Sequence, residues 1–191
     1  MPPVDATSFA KATYVFLDRD GVINRKPLEG EYISRWEDVE ILPGVEEAIA
    51  ALNHSGRTIF VITNQRGVAL GRYSLADVER LHRQLQDHLS QHHAHIDGFY
   101  ICPHDEGQCD CRKPKTGLFE QALQDYPEAS AEHSVMVGDS LPDLQAALNF
   151  GTPFIFIEGD PESQKPGAEK ARLLASASCN SLLEAVRTLL L

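Results

Sequence analysis

The stretch YVFLDRDGVIN, from Tyr14 to Asn24, closes an apolar run with two aspartates, Asp18 and Asp20, with Arg19 between them and Gly21 after. Two carboxylates this close titrate as a coupled pair, which favours one ionised and one protonated member. Such a division suits a site that needs both a charged oxygen and a proton carrier. Three more places offer complementary groups. Thr63-Asn64-Gln65-Arg66 brings a hydroxyl, two amides and a guanidinium; Arg112-Lys113 brings two cations; Gly138-Asp139-Ser140 brings a third carboxylate, with Asp143 one helical turn later. Each alone is an ordinary polar turn after a strand. Together they form a set that chance explains poorly.

A second constellation reads Cys102-x-His104-x4-Cys109-x-Cys111. Three thiols and an imidazole are tetrahedral Zn²⁺ chemistry, and four protein donors close the site, so its role is structural. Cys179 stands outside the cluster as a buried or free thiol. His92–His95 follow a helical stretch and read as a solvated surface.

Some framework must bring these stretches together. Short, nearly unbroken apolar runs at Thr13–Leu17, Thr58–Thr63, Gly98–Ile101, Ser134–Val137 and Pro153–Ile157 predict strands buried on both faces. Helical patterns lie between them at Pro43–His54, Ser74–Gln91, Thr116–Asp125, Ser140–Asn149 and Ser181–Leu190. Ser74 opens its helix with a capping-box-like SLAD, and Val78, Leu81, Leu85 and Leu89 then share one face. Residues 158–170 read as an exposed loop. The alternation predicts an α/β, doubly wound parallel sheet, with ligands held outside the carboxyl ends of the strands. The polar stretches all fall at those ends.

Composition sets limits. The chain has 191 residues, enough for one domain (1–191) with a real core, and a formal charge of −11. That charge argues against nonspecific nucleic-acid or anionic-membrane binding. No apolar run approaches a membrane span and no signal peptide is evident, so a cytoplasmic location is expected. In that compartment the four cysteines are metal ligands or free thiols.

The polar set resembles the haloacid dehalogenase superfamily of phosphohydrolases over nearly the whole chain. FLDRDGVIN is similar to the first motif of that family, VITNQ to the second, CRKPK to the third and MVGDSLPD to the fourth. The resemblance implies a Rossmann-like fold and a catalytic Mg²⁺. It implies that Asp18 is nucleophile and metal ligand, and that Asp20 is the general acid/base whose backbone carbonyl also meets the metal. It gives Thr63 a hydrogen bond to phosphoryl oxygen, Lys113 the neutralising charge, and Asp139 the remaining metal position. Asp143 is either a further ligand or a helix-start charge near the macrodipole. A carboxylate can attack a phosphoryl group only when a cation quenches the repulsion between two anions.

A zinc loop running into CRKPK resembles the histidinol-phosphatase-like branch, and TNQRGVALGRYS is similar to its heptose bisphosphate phosphatases. The substrate so implied is a small phosphorylated sugar, D-glycero-D-manno-heptose 1,7-bisphosphate losing its C7 phosphate, with histidinol phosphate as the alternative. The interval between Asp20 and Thr58 leaves no room for a cap domain, so loops Arg25–Tyr32 and Arg66–Tyr73 and the zinc loop set specificity. Asn64, Gln65, Arg25, Lys26, Arg66, Arg72 and Arg112 are the candidate substrate contacts, and arginine suits bidentate phosphate binding. Tyr32 and Trp36 either stack on a sugar or pack the loop. A monomer is expected. A receiver-type signalling module and a non-catalytic zinc protein are the rival classes. The first carries its acceptor on the third strand, whereas here the paired aspartates end the first.

Overall fold

Successive apolar runs assemble into one parallel sheet in the computed structural model, which describes residues 9–28, 30–159, 162–164 and 166–191. The strands are β1 (Tyr14–Leu17), β2 (Thr58–Asn64), β3 (Gly98–Cys102), β4 (Ser134–Gly138), β5 (Phe154–Ile157) and β6 (Ala177–Cys179). Their order is β3-β2-β1-β4-β5-β6. The chain builds outward from β1 to β3, then returns to build from β4 to β6. The winding therefore reverses between β1 and β4, the place where such sheets bind ligands. Leu17 stands level with Val61 on one side and Val137 on the other. Asp18, Thr63 and Asp139 consequently leave the sheet along a single edge.

The helices are α1 (Val45–His54), α2 (Leu75–Ser90), α3 (Gly117–Asp125), α4 (Leu141–Phe150), α5 (Ala168–Leu174) and α6 (Leu182–Ala185). The pleat of the strands sorts the core between them. Val15, Leu17, Val61, Val137 and Ile155 face α1, α2 and the C-terminal helix. Phe16, Phe60, Ile62, Met136 and Phe156 face α3, α4 and α5. Covering both faces is what permits unbroken apolar strands. Ser74 caps α2 as expected: its side chain accepts from the Asp77 backbone while the Asp77 carboxylate accepts from Ser74. Between Asn24 and α1 the described residues hold only a 3-10 turn, Trp36–Asp38.

Three features differ from expectation. The edge strand β6 has no apolar run to announce it; only Cys179 is buried. The presumed loop 158–170 gives way to α5 at Ala168, while Asp160, Pro161 and Lys165 of that stretch, and Glu29 of the Arg25–Tyr32 loop, lie outside the described residues. The last helix is a short α6 that widens into a π turn over Val186–Leu190.

The Phe16 ring meets Phe119 at 4.7 Å, Phe60 at 5.1 Å and Phe150 at 5.9 Å between centroids. It thus joins the central strand to α3 and α4. Phe16→Ala is expected to lower unfolding free energy by about 3–5 kcal/mol. Equilibrium urea unfolding measures this, and a loss under about 1 kcal/mol would show that the cluster does not hold the sheet edge in place.

Candidate active site

Strand ends dictate the site. Asp18 follows β1 directly, and its Oδ1 accepts from the Arg19 backbone N–H at 2.8 Å. The same oxygen lies 2.9 Å from Lys113 Nζ. Lys113 Nζ also donates to the Ile62 carbonyl at 2.8 Å and lies 2.6 Å from Asp143 Oδ1. The ammonium thus has one hydrogen bond, to the strand carbonyl, and two carboxylates in ion-pair contact. Asn64 sets the backbone of this lysine in place: its Oδ1 accepts from Lys113 N at 3.1 Å and its Nδ2 donates to Lys113 O at 3.0 Å. Burial alone would lower the Lys113 pKa, but the Asp143 and Asp18 charges outweigh it and raise it.

Asp143 serves two ends at once. It closes a capping box on Ser140 at the start of α4, and it faces Lys113. Burial pushes its carboxyl up, yet Lys113 wins and holds it below the usual range. Asp139 is different. Its Oδ2 accepts from Lys26 Nζ at 2.5 Å, while its Oδ1 is buried with no hydrogen-bond donor among the described residues. Burial, opposed by Lys26 and reinforced by Asp143 and Asp18, pushes Asp139 up to about 7. Asp18, Asp139 and Asp143 each present an oxygen within 4.8 Å of the others. An all-oxygen set in which Asp139 Oδ1 and Asp143 Oδ1 are both buried without a hydrogen-bond donor among the described residues fits a hard divalent cation. Gly21 makes room for it: with φ +100°, an added Cβ would fall 2.2 Å from Asp139 Oδ2.

The Asp20 side chain turns away from this group. Arg19 Nη2 donates to both its oxygens at 2.9 Å, Asn24 Nδ2 donates to Oδ1 at 2.9 Å, and Gln65 Nε2 donates to Oδ2 at 3.1 Å. Burial would raise this carboxyl, but Arg19, Asn24 and Gln65 together bring it below its ordinary value. Asp18 moves the other way, because burial outweighs Lys113 and the neighbouring Asp143 and Asp20 charges add to it. The arginine between the two aspartates folds back onto the second, so the two carboxyls shift in opposite directions.

Sequence reasoning missed that arginine, His82 beside it, and Tyr73 behind Gln65. Arg19 is almost wholly buried. Its Nη1 lies 3.3 Å from His82 Nε2. Burial, helped by the Arg19 charge, pushes His82 down to about 3, so the ring is neutral and accepts. Tyr73 donates from its hydroxyl to Gln65 Oε1 at 2.8 Å, and Gln65 in turn donates to Thr63 Oγ1 at 2.8 Å. A usable signal existed for His82, which neighbours the inward helical face of Leu81 and Leu85.

Four of the five candidate loop cations are engaged, while the fifth, Arg72, is exposed. Lys26, expected to meet an anionic substrate group, is buried and turned onto Asp139, because a buried carboxylate draws in the nearest cation. Arg25 pairs with Glu40 at 3.3 Å and Arg66 with Asp105 at 2.5 Å, and Arg112 Nη1 donates to the His104 carbonyl at 3.4 Å. Tyr32 packs edge-on against Tyr73 at 5.8 Å, and Trp36 packs on His88 at 5.5 Å. Two cavities, of about 680 and 260 Å³, share Arg25 and Lys26, and the smaller reaches Gly21 and Asp139.

The cysteine loop converges as expected. Cys102 Sγ lies 3.6 Å from Cys109 Sγ and 3.9 Å from His104 Nδ1, and Cys111 Sγ lies 3.3 Å and 3.4 Å from the same two atoms. Tetrahedral zinc bond lengths imply ligand edges of about 3.6–3.8 Å. The four donors fit such an ion.

Comparison with known proteins agrees with this geometry. A haloacid dehalogenase-like hydrolase family model matches residues 6–151. A Mycobacterium bovis D-glycero-alpha-D-manno-heptose-1,7-bisphosphate 7-phosphatase is 42% identical, covering 89% of this chain and 87% of that protein. An Escherichia coli D-glycero-beta-D-manno-heptose-1,7-bisphosphate 7-phosphatase is 36% identical, covering 91% and 93%. Among solved structures, the D,D-heptose 1,7-bisphosphate phosphatase of B. bronchiseptica, complexed with magnesium and phosphate, superposes with a TM-score of 0.79 at 27% identity, covering 92% and 96%. The chain belongs to the haloacid dehalogenase-like hydrolases.

Proposed function

We propose that the chain is a Mg²⁺-dependent phosphatase that removes the C7 phosphate of D-glycero-D-manno-heptose 1,7-bisphosphate through an aspartyl-phosphate. One observation carries the chemistry: Asp18 sits 2.9 Å from Lys113 and beside the orphaned oxygen of Asp139. The relatives named above support the substrate. Asp18, Asp139 and the Asp20 carbonyl would hold the cation, with Asp143 and Lys26 shaping its surroundings. When bound, it supplies Lewis-acid neutralisation of the phosphoryl oxygens.

The chain's own residues do the rest. An Asp18 carboxylate oxygen attacks phosphorus as the bond from phosphorus to the C7 oxygen breaks. Lys113 offsets the anionic charge shared by nucleophile and phosphoryl group, and Thr63 donates to a phosphoryl oxygen. Asp20 gives its proton to the leaving oxygen, then takes one from the water that attacks the acyl phosphate, so Asp18 and inorganic phosphate are released. Arg19, Asn24 and Gln65 favour the ionised base form of Asp20. An arriving dianionic phosphate opposes that bias, since a like charge nearby raises a carboxyl pKa. Zn²⁺ at Cys102, His104, Cys109 and Cys111 would fix the loop that carries Arg112 and Lys113. Arg66 and Arg112, with Arg25, border the site as contacts for a second anionic group. Action as a monomer in the cytoplasm completes the reading, and the four free thiols suit a reducing compartment.

Three measurements test this. Asp18→Asn should lower kcat by about a thousandfold or more while the circular dichroism spectrum and Tm stay close to wild type; near-normal turnover removes Asp18 as nucleophile. Phosphorus NMR of both heptose bisphosphate anomers should show loss of the C7 phosphate, with kcat/KM at least about tenfold above that for histidinol phosphate. Equal or reversed values would favour the histidinol alternative. Cys109→Ser should lose zinc by elemental analysis and show reduced kcat/KM; full zinc content in that variant contradicts the four-ligand site.

A further inference from the structure

A third cluster of metal-type donors lies outside both sites. Glu46, in the first turn of α1, meets His88 in the last turn of α2, and His92 follows four residues on. His88 Nε2 lies 2.9 Å from Glu46 Oε1. The rings of His88 and His92 are 5.0 Å apart. Each of the three offers a ligand atom, and all three atoms lie within 4.8 Å of one another. Neither the catalytic chemistry nor the cysteine loop uses any of these residues.

We propose that Glu46, His88 and His92 form a surface site for a borderline divalent transition metal such as Zn²⁺ or Ni²⁺. His92 lies in the turn just past the end of α2, and that turn brings its ring beside the His88 ring of the last helical turn. Bonds of about 2.0–2.2 Å place tetrahedral neighbours about 3.3–3.5 Å apart. The Glu46–His88 pair is already inside that spacing. His92 is exposed, and its ligand atom lies within 4.8 Å of the other two. Two imidazoles and one carboxylate select a borderline ion over Mg²⁺, which prefers oxygen alone. Three protein ligands leave positions for water, so the ion exchanges, unlike one closed in by four. The plain alternative is a hydrogen bond tying α1 to α2, with His92 merely solvated. That tie needs Glu46 and His88 but not His92, and this difference makes the two readings separable.

Trp36, the single tryptophan of the chain, packs 5.5 Å from His88. It reports directly on the cluster. Ni²⁺ titrated into zinc-loaded protein, with Mg²⁺ in excess to occupy the carboxylate site, should bind one further equivalent and quench Trp36 fluorescence. A chelator should reverse the quenching. Changing even a group that only orients a ligand lowers metal affinity about tenfold or more. His92→Ala and Glu46→Gln should therefore each weaken Ni²⁺ binding by at least that factor. His93→Ala, one residue away, should leave it unchanged. Uptake and quenching in His92→Ala equal to wild type overturn the proposal, as does equal loss in His93→Ala or an absence of quenching in wild-type protein.

Discussion

The structure turns on a charge imbalance where the sheet reverses its winding. Asp18, Asp20, Asp139 and Asp143 meet there against Arg19, Lys26 and Lys113. Three cations face four carboxylates, all largely withdrawn from water. Burying an unpaired charge is expensive, and the group responds by moving its pKa. Asp18 and Asp139 are raised because burial outweighs the lysine each one faces, while Asp20, held by Arg19, and Asp143, held by the Lys113 it shares with Asp18, are lowered. A cluster one positive charge short accepts either a proton or a metal ion. The orphaned Asp139 Oδ1 marks the side on which that charge is missing.

The division of labour between the paired aspartates follows from this rather than from their proximity. Asp18 keeps its Lys113 contact but shares that lysine with Asp143. Asp20 has Arg19 to itself, and Arg19 is kept in place by the neutral His82 ring, which lies over Phe99 at 4.5 Å. Gln65 extends the line, joining Asp20 to Thr63 and Tyr73. A protonated His82 would set a second cation against Arg19 and loosen its grip on Asp20. The apolar setting that pushes this ring down to about 3 keeps it uncharged. Packing in the helix layer thereby helps hold Arg19 against Asp20 at the strand edge.

Much of this was legible in the sequence. Apolar runs and capping patterns located five strands and the principal helices, because doubly buried strands cannot hide their composition. The edge strand β6 escaped because burial on one side demands only one apolar residue of three. Among the candidate site residues, Asp18 and Asp139 converge because parallel register aligns their strand ends, whereas Lys113, in the loop past β3, is set in place by Asn64. The directions of long side chains were not legible. Lys26 and Arg19 look like surface cations in a polar loop, and only the three-dimensional excess of carboxylates draws them inward. Asn64 likewise reads as a polar strand end, yet its amide is spent on the Lys113 backbone.

On the proposed reading, a chain of net charge −11 must still admit a sugar carrying two phosphate groups. At physiological ionic strength the Debye length is about 8 Å, so most surface carboxylates are screened from an approaching ligand. The groups bordering the strand ends decide the matter. There Arg25, Arg66 and Arg112 are engaged by Glu40, Asp105 and the His104 carbonyl. Exposed ion pairs of this kind contribute about 1 kcal/mol or less, whereas bidentate arginine–phosphate bonds are roughly twice as strong as neutral hydrogen bonds. The resting pairs are therefore weak enough to be exchanged for phosphate oxygens. Two of those partners, Asp105 and His104, belong to the cysteine loop that also leads to Lys113. On the proposed reading, an anion that takes over these arginines would release contacts to the same loop that leads to the buried lysine.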